Sequence, residues 1–436
     1  MITVNKDGAL QQGAVLVGVE ITSRSVGVDD YKILDLEKSL DELERLLETA
    51  GGYAFAKVMQ IKTAPDPKTY IGSGKLEEIK ELCTNNDIGL VVFDTELSPS
   101  QIRNLENGIG DVTVIDRSML ILDIFALHAT TGEGKLQVEL AQLRYTAPRL
   151  TGKGTELSRL GGGIGTRGPG ESKLESDRRH INRRIMSLEA ELAEMEKNRK
   201  TMRVSRDKSH VPEIAIVGYT NAGKSTLLNY LTDAGILVAD KLFATLDPTT
   251  RKLRLPCGED VLLTDTVGFI SRLPHHVIKA FKSTLDEAVY ADILVIVSDA
   301  SDPEVRNHIE VTLRTLDEIG AKGKPIIHVF NKCDKVEGEL PLKADAAEAT
   351  EIVYISALTG EGVDGLLAAI ERILLSSKRL TVFRLPNSKA GLLNVLYKNS
   401  TVEDVAYGDM FITVKVMADE RVRGMLREYI SEDSDE

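Results

Sequence analysis

The chain has 436 residues, of which 42% are hydrophobic and 28% are charged, and its net charge is −13. This length predicts about three domains, and the acidic balance excludes indiscriminate binding to nucleic acid or to anionic membranes. Three scattered cysteines, Cys83, Cys257 and Cys333, exclude a disulfide scaffold and a cysteine-based zinc site. The N-terminus lacks an apolar targeting core and no long apolar run occurs, so we expect a cytoplasmic protein without an integral membrane segment, at most peripheral to a membrane.

Residues 1–116 alternate strand-like and helix-like segments. Apolar runs predict four strands, at 14–21, 53–61, 89–94 and 111–116. Three helices are predicted between them, at 36–50, 74–83 and 98–107. The first of these places Leu40, Leu43, Leu46 and Leu47 on one face. This region is therefore predicted to be a small α/β domain.

Residues 117–208 are predicted to be helical. Two helices, at 118–129 and 134–147, precede a long helix at about 173–203. Coiled-coil spacing connects six apolar residues of the long helix: Leu174, Ile181, Ile185, Leu188, Leu192 and Met195. An antiparallel helical hairpin fits this pattern, with the glycine- and arginine-rich loop 148–172 at its tip.

The segment 144–184 carries a net positive charge, opposite in sign to that of the whole chain. It contains ten Lys or Arg residues and four Asp or Glu residues, and glycines crowd its loop. Bare glycine backbone can approach a phosphate closely and arginine can pair with it, so this segment predicts contact with structured RNA. A solvated loop between ordinarily charged helices is the alternative.

Residues 209–376 predict a nucleotide-binding domain. The stretch 218–225 reads GYTNAGKS, which fits the phosphate-binding pattern G-x-x-x-x-G-K-[ST] between an apolar strand and a helix. Glycines let backbone N–H groups surround a triphosphate, Lys224 adds positive charge near its β- and γ-phosphates, and Ser225 offers a hydroxyl to Mg²⁺. We predict Lys224 as catalytic, Ser225 as a metal ligand, and nucleotide contacts from Gly218, Tyr219, Thr220, Asn221, Ala222, Gly223, Lys224, Ser225 and Thr226.

Three further motifs end predicted strands: DTVG at 265–268, NKCD at 331–334 and SAL at 356–358. Ligands bind at this edge of open parallel sheets, and the four motifs in this order are those of P-loop GTPases. Asp334 can accept two hydrogen bonds from guanine, the Ala357 N–H would meet guanine O6, and Lys332 would lie along the base. The predicted contacts are Asp265, Thr266, Val267, Gly268, Asn331, Lys332, Cys333, Asp334, Ser356, Ala357 and Leu358.

The threonine-rich segment 243–251, FATLDPTTR, is the candidate for switch I, a segment ordered by the γ-phosphate. Thr245 is predicted to be catalytic and a metal ligand, with Thr249 and Thr250 as alternatives that spacing does not separate. Asp265 is expected to hold Mg²⁺ through a water molecule, and the N–H of Gly268, also assigned as catalytic, to contact the γ-phosphate. Nucleotide contacts are predicted from Phe243, Ala244, Thr245, Leu246 and Asp247.

Phe269 follows DTVG, where many GTPases carry a glutamine that orients the attacking water. Phenylalanine cannot hydrogen-bond water, so we expect slow intrinsic hydrolysis. An activating partner or a side chain from elsewhere would complete the site.

Residues 377–430 predict a small α+β domain, followed by an acidic tail at 431–436. The predicted fold is therefore α/β. A P-loop GTPase domain with a mostly parallel sheet is preceded by a small α/β domain and a long helical hairpin, and is followed by the α+β domain.

These residues together resemble the HflX family of translation-factor-related GTPases. The similarity extends over nearly the whole chain, including PDPKTYIGSGKLEEI at 65–79, GGGIGTRGPGESKLESDRR at 161–179, FATLDPTTR, and DTVGFI with its hydrophobic substitute for glutamine. The resemblance implies a GTPase that uses Mg²⁺, binds the large ribosomal subunit and is stimulated by ribosomes. It further implies splitting of ribosomes or rescue of stalled ones under stress, with the basic loop reaching towards the peptidyl-transferase region.

The ribosome and its RNA are thus the predicted partners, contacted through residues 144–184, and a monomer is expected. Two other functions stay open: an RNA-binding or ribosome-assembly scaffold gated by guanine nucleotide, and a switch for a protein or membrane partner without RNA contact.

Overall fold

The computed structural model describes residues 12–21, 36–150, 169–206, 211–232, 242–243, 245–272, 282–336, 338, 348–376, 378–418 and 420–431. Within these ranges the chain forms three β-sheets of four, six and three strands. Ala244, most of the predicted loop (151–168) and the acidic tail from 432 lie outside the described residues.

The first sheet consists of four parallel strands in the order β2-β1-β3-β4. They are β1 (Gly13–Ile21), β2 (Tyr53–Lys62), β3 (Leu90–Phe93) and β4 (Thr113–Asp116), and the helices that alternate with them are α1 (Leu36–Thr49), α2 (Ser73–Asn86) and α3 (Pro99–Ile109). The apolar face of α1 is fully buried against this sheet, through Leu40, Leu43, Leu46 and Leu47. The predicted alternation of strands and helices is confirmed.

A helical hairpin follows, built from α4 (Arg117–His128), α5 (Gly132–Thr146), a 3-10 turn (Ala147–Leu150) and α6 (Pro169–Arg206). The antiparallel arrangement of α5 and α6 is visible in their ion pairs, because Glu133 at the start of α5 pairs with Arg199 whereas Glu139 pairs with Arg184. Leu188, in the middle of the predicted seam, is completely buried. Although α6 has 38 residues, no helix among the described residues is both long and apolar enough to cross a membrane.

The second sheet has the order β10-β9-β8-β5-β7-β6, and only β6, at its edge, is antiparallel to its neighbour. Its strands are β5 (Glu213–Gly218), β6 (Thr249–Arg254), β7 (Asp260–Asp265), β8 (Ile293–Asp299), β9 (Ile326–Asn331) and β10 (Glu351–Tyr354). The helices are α7 (Lys224–Thr232), α8 (Lys282–Tyr290), α9 (Val305–Glu318) and α10 (Val363–Ser376). The predicted motifs therefore meet at one edge, since each follows the carboxyl end of a parallel strand.

The third sheet is antiparallel, with β13 (Phe411–Ala418) between β11 (Arg379–Pro386) and β12 (Thr401–Tyr407). Two short helices, α11 (Gly391–Asn399) and α12 (Glu420–Met425), complete this unit. Phe383, Leu396 and Val414 form the centre of its apolar core. The predicted α+β character of the C-terminal region is confirmed.

The N-terminal core also includes residues of the nucleotide-binding region. Leu242, Phe243 and Leu246 are buried in the same cluster as α1 and α4, and the ring of Phe243 meets that of Phe125 edge-on at 4.7 Å. Apolar burial of this kind stabilises the packing of the two regions, but it does not by itself fix their relative orientation. Hydrogen bonds between them, such as those of Asp247 with Thr130 and Thr131, are directional.

Candidate nucleotide site

The phosphate loop connects the end of β5 to α7 through an irregular backbone. Gly218, Asn221 and Gly223 have φ values of 148°, 60° and 95°, which glycine, and less easily asparagine, can adopt. A Cβ on Gly218 would lie 2.2 Å from the carbonyl oxygen of Val297, so this position requires glycine for space as well. The loop leads into the N-terminus of α7, where free N–H groups and the helix dipole favour an anion.

Lys224 occupies the centre of this loop. Its ammonium donates hydrogen bonds to the carbonyl oxygens of Tyr219 at 2.8 Å and Gly218 at 3.2 Å. Burial lowers the pKa of Lys224 to about 8, although the Asp265 carboxylate opposes part of the shift. A Cβ on Gly268 would lie 3.0 Å from this ammonium, so DTVG and the phosphate loop enclose the same space.

Three oxygen-bearing side chains converge beside Lys224. Ser225 Oγ donates to Asp265 Oδ2 at 2.6 Å and lies 2.7 Å from Thr245 Oγ1. The second oxygen of Asp265 is buried without a hydrogen-bond partner among the described residues. Burial raises the pKa of Asp265, with Lys224, Ser225 and Thr245 opposing the rise.

The structure separates the three candidate threonines of the switch segment. Thr245 faces Ser225, whereas the hydroxyl of Thr250 lies 2.9 Å from that of Thr264 within the β6–β7 ladder. Thr249 is also part of that ladder, paired with Asp265. Only Thr245 of these three therefore joins the oxygen cluster.

The opposite end of the site is organised by Asn331. Its Nδ2 donates to the carbonyl oxygen of Ala222 at 2.8 Å, and its Oδ1 accepts from the N–H of Ala357 at 2.9 Å. Lys332 has a left-handed backbone (φ 61°), and its ammonium pairs with Asp299 at 2.6 Å. These contacts align three loops along one edge of the sheet.

The remaining residues of this region surround the same edge. Asp334 is exposed at the surface, Cys333 is half-buried and Leu358 is 74% exposed. Ser356 is completely buried, and its hydroxyl accepts a hydrogen bond from the N–H of Thr359 at 3.2 Å. Asp334 and Leu358 are thus accessible from solvent, whereas Asn331 is buried.

Several other predicted contact residues have defined surroundings. Thr266 donates from its hydroxyl to the carbonyl oxygen of Ile216 at 2.9 Å, and Val267 is buried in the N-terminal core cluster. Thr226 is half-buried at the start of α7, and the hydroxyl of Thr220 is buried without a partner among the described residues. The nucleotide contacts predicted for these residues stay predictions.

Phe243, Leu246 and Asp247 face the N-terminal half of the chain. The first two are buried in its core, and the Asp247 carboxylate accepts four hydrogen bonds from Thr130 and Thr131. Nucleotide contact by these side chains remains a prediction, and the contacts seen here involve other partners.

Sequence profiles of known families match the chain in four successive segments. Their descriptions are "GTP-binding GTPase N-terminal" (residues 37–126), "GTP-binding GTPase Middle Region" (128–206), "50S ribosome-binding GTPase" (213–332) and "HflX C-terminal domain" (341–425). A GTPase HflX from Lacrimispora saccharolytica is 57% identical over 79% of this chain and 81% of that protein. The chain belongs to the HflX family of GTPases.

Other relatives extend the match. A GTPase HflX from Caldanaerobacter subterraneus subsp. tengcongensis is 48% identical over 90% of both chains. Among solved structures, a GTP-binding protein from Sulfolobus solfataricus in complex with GDP is 27% identical, covering 83% of this chain and 98% of that one, with a TM-score of 0.43. Membership of the HflX family makes this protein a P-loop GTPase, which hydrolyses GTP to GDP and phosphate.

In this HflX-family GTPase, Phe269 supports the site through its backbone. Its side chain is buried in an apolar core cluster with Leu285 and Leu294. Its N–H donates to the carbonyl oxygen of Gly218 at 3.0 Å, and its carbonyl oxygen accepts from the N–H of Thr220 at 2.8 Å. The backbone of Phe269 therefore fixes DTVG against the phosphate loop, and its side chain presents no polar group there.

Sequence reasoning missed a group of residues around Tyr219. The phenol of Tyr219 hydrogen-bonds Glu42 and Ser271, and its ring stacks on His308 at 3.8 Å. Burial, together with Glu42, raises the pKa of Tyr219 well above its ordinary value. Nothing in the spacing of Glu42 indicated this contact, because it lies 177 residues from Tyr219 in the chain.

Proposed function

We propose that GTP is bound and hydrolysed at the edge formed by the phosphate loop, DTVG, Asn331 and Ala357. The observation that carries this proposal is the convergence of Ser225, Thr245 and Asp265 beside the buried ammonium of Lys224. Positive charge and backbone N–H groups on one side, and metal-binding oxygens on the other, are what phosphoryl transfer requires.

Magnesium fits the oxygen cluster. The two hydroxyls and the carboxylate are hard oxygen donors, which Mg²⁺ prefers, and the unpartnered Asp265 oxygen has no other group to satisfy it among the described residues. In this proposal Ser225 and Thr245 are the direct ligands, and Asp265 acts through a water molecule. When bound, Mg²⁺ would neutralise charge that develops on the phosphate oxygens.

The protein's own groups position the substrate in this proposal. Lys224 contacts the β- and γ-phosphates, and the N–H of Gly268 contacts the γ-phosphate. Asp334 selects guanine by accepting from its N1–H and N2–H₂, with the N–H of Ala357 directed at O6 and Lys332 along the base plane. The buried Phe269 offers no group to orient water, which supports slow intrinsic hydrolysis and completion of the site by a partner.

We further propose that the large ribosomal subunit is that partner, contacted through residues 144–184. The description of the matched profile at 213–332 supports this proposal. So does the surface of α6, where Arg178, Arg179 and Arg183 are exposed. In this proposal the protein is a cytoplasmic monomer that splits ribosomes or rescues stalled ones.

A second candidate function is a scaffold for RNA binding or ribosome assembly that guanine nucleotide gates. The same exposed arginines favour it, because they offer phosphate contacts without requiring turnover. The two functions differ in whether hydrolysis drives release from the ribosome.

Cosedimentation tests both. The protein would be centrifuged with 70S ribosomes and separated subunits in the presence of GTP, GDP or a non-hydrolysable GTP analogue. We expect binding to the large subunit with the analogue, release after hydrolysis and loss of 70S particles with GTP. Binding that depends on the nucleotide, without loss of 70S particles and without release on hydrolysis, would favour the scaffold, and no binding at all would remove both ribosome proposals.

A further inference from the structure

Asp247 connects the switch segment to the helical hairpin. Its Oδ2 accepts from the N–H and the hydroxyl of Thr130, at 2.8 and 2.6 Å, and from the N–H of Thr131 at 2.8 Å. Its Oδ1 accepts from the hydroxyl of Thr131 at 2.6 Å. One carboxylate thus satisfies four donors in the two residues that precede α5.

These donors make Asp247 a cap of α5 from outside the helix. The Thr131 hydroxyl also accepts from the N–H of Gly134 at 3.0 Å, which is the usual N-terminal cap. Negative charge is favoured at a helix N-terminus, where unpaired N–H groups carry partial positive charge. Both oxygens of Asp247 act only as acceptors in these four hydrogen bonds, as those of a carboxylate do.

The two residues before Asp247 in the switch segment are also held in place. Two residues before it, Thr245 lies against Ser225 at 2.7 Å, and between them Leu246 is buried in the N-terminal core. Residues 245–247 therefore connect the oxygen cluster to the start of α5. The side chain of Thr245 contacts the cluster, and that of Asp247 contacts the two threonines before α5.

Ion pairs between α5 and α6 allow the hairpin to transmit a movement of Asp247 and its threonine partners. Glu133, in the first turn of α5, pairs with Arg199 near the far end of α6, and Glu139 makes two hydrogen bonds of 2.7 Å with Arg184. Arg144 and Glu189 pair at 2.6 Å further along. With these links the two helices can be displaced together.

We propose that Asp247 is a positioning residue for GTP hydrolysis: held by Thr130 and Thr131, it keeps Thr245 at the phosphate loop and couples the helical hairpin to the nucleotide site. The inference rests on the proposed function, since it needs Thr245 to act on GTP. Coupling is reciprocal in binding free energy, so a ligand that fixes the hairpin also favours the ordered switch segment.

Two variants test it in the full-length protein. Asp247→Asn keeps the volume but directs an amide NH₂ at the donors, and Thr130→Val with Thr131→Val removes both hydroxyls. For each variant we expect the rate constant of single-turnover GTP hydrolysis to fall about tenfold. The affinity for a non-hydrolysable GTP analogue should fall by the same factor, which is within the usual range of site coupling. GDP affinity should stay within about twofold of the wild type, because the base and the β-phosphate contact other residues.

Three controls make the result interpretable. Asp260→Asn removes a carboxylate that pairs with Lys252 at 2.7 Å in the β6–β7 hairpin and should leave all three measurements unchanged. Thr130→Ser with Thr131→Ser keeps the hydroxyls and should behave like the wild type. The valine pair should add little to Asp247→Asn, since residues that act through one contact are not additive.

The outcomes are distinct. If the wild type binds no guanine nucleotide, the proposed function fails. Suppose instead that the wild type hydrolyses GTP and that Asp247→Asn keeps both the wild-type single-turnover rate constant and the wild-type ratio of analogue to GDP affinity. The positioning role is then overturned. Full additivity with the valine pair would overturn it too. Should Asp247→Asn not fold, as judged by thermal unfolding, the valine and serine pairs decide alone.

Discussion

Asn331 and Ala357 are joined by a buried hydrogen bond of 2.9 Å, and the same asparagine holds the phosphate loop through Ala222 at 2.8 Å. The side chain therefore connects three loops that are distant in sequence. In addition, Gly223 must remain glycine, since a Cβ there would lie 2.2 Å from Asn331 Nδ2. The positions of the predicted base contacts depend on this one amide.

Asn331→Ala is expected to lower the free energy of unfolding by about 2–4 kcal/mol, because it leaves two buried backbone groups without partners. Guanine-nucleotide affinity should fall at least about tenfold, which corresponds to about 1.4 kcal/mol of binding free energy. Urea unfolding and fluorescent GDP titration measure the two effects. Asn394→Ala, at an exposed position of α11, is the control, and an equal effect there would contradict the interpretation.

Asp334→Asn should change base preference from guanosine to xanthosine nucleotides. The asparagine amide can donate to the extra carbonyl of xanthine but cannot accept two bonds from guanine. Competition between GDP and XDP for binding to the variant measures this change in base preference. Unchanged preference for GDP would refute the role of Asp334, while nucleotide-free stability should be the same because this residue is exposed.

Nucleotide affinity should decrease above pH 8. The pKa of Lys224 is about 8 in the free protein, and bound phosphates favour its charged form, so binding takes up a proton wherever the lysine is neutral. Titration calorimetry in two buffers of different ionisation enthalpy should show uptake of about half a proton at pH 8 and almost none at pH 6.5. Zero uptake throughout this interval would contradict the low pKa.

Arg178→Glu combined with Arg179→Glu should weaken ribosome binding and flatten its dependence on salt, because each lost phosphate contact lowers the salt slope by roughly one. GDP affinity should not change. Cosedimentation at several salt concentrations measures the slope. Charge reversal at Arg314 and Lys322, near the end of α9, controls for the altered net charge, and an equal loss there would exclude a specific α6 contact.

Arg117→Met should destabilise the folded chain by about 3–5 kcal/mol, as expected when one partner of a buried ion pair is removed. Arg117 is buried between Glu42 and Asp94, pairs with the latter at 2.8 Å and donates to the carbonyl oxygen of Ser271. Burial alone would lower its pKa, but both acids raise it above the usual value. Thermal unfolding measures the effect, with the exposed Arg314→Met expected to cost at most about 1 kcal/mol. A similarly small change at Arg117 would refute its structural role.

Most elements of the fold could be predicted because their signals are local. The spacing of Leu40, Leu43 and Leu47 defines α1, and the coiled-coil spacing around Leu188 defines α6. The phosphate loop and NKCD could be placed at one edge because parallel strands bring their carboxyl ends together. Local signals define the ends of helices less precisely than their centres, and α6 begins at Pro169, four residues before the predicted start.

Sequence could not reveal contacts between residues far apart in the chain. Thr245, Thr249 and Thr250 have the same chemistry, and the structure separates them because Thr245 lies against Ser225 whereas the other two belong to β6. Asp247 lies in the middle of the predicted switch segment, yet its hydrogen-bond partner Thr130 is 117 residues away. Such pairings depend on how the helical hairpin and the nucleotide-binding region pack against each other, which no local periodicity describes.

The length of α6 has a mechanical consequence. At 1.5 Å per residue its 38 residues extend about 57 Å, and Arg199, which pairs with Glu133, is close to one end. A tilt of only about 5° at that end would move the opposite end by about 5 Å, roughly one helical turn. Under the coupling proposed above, small rearrangements at the nucleotide site would be amplified into a displacement of several ångströms at the other end of α6.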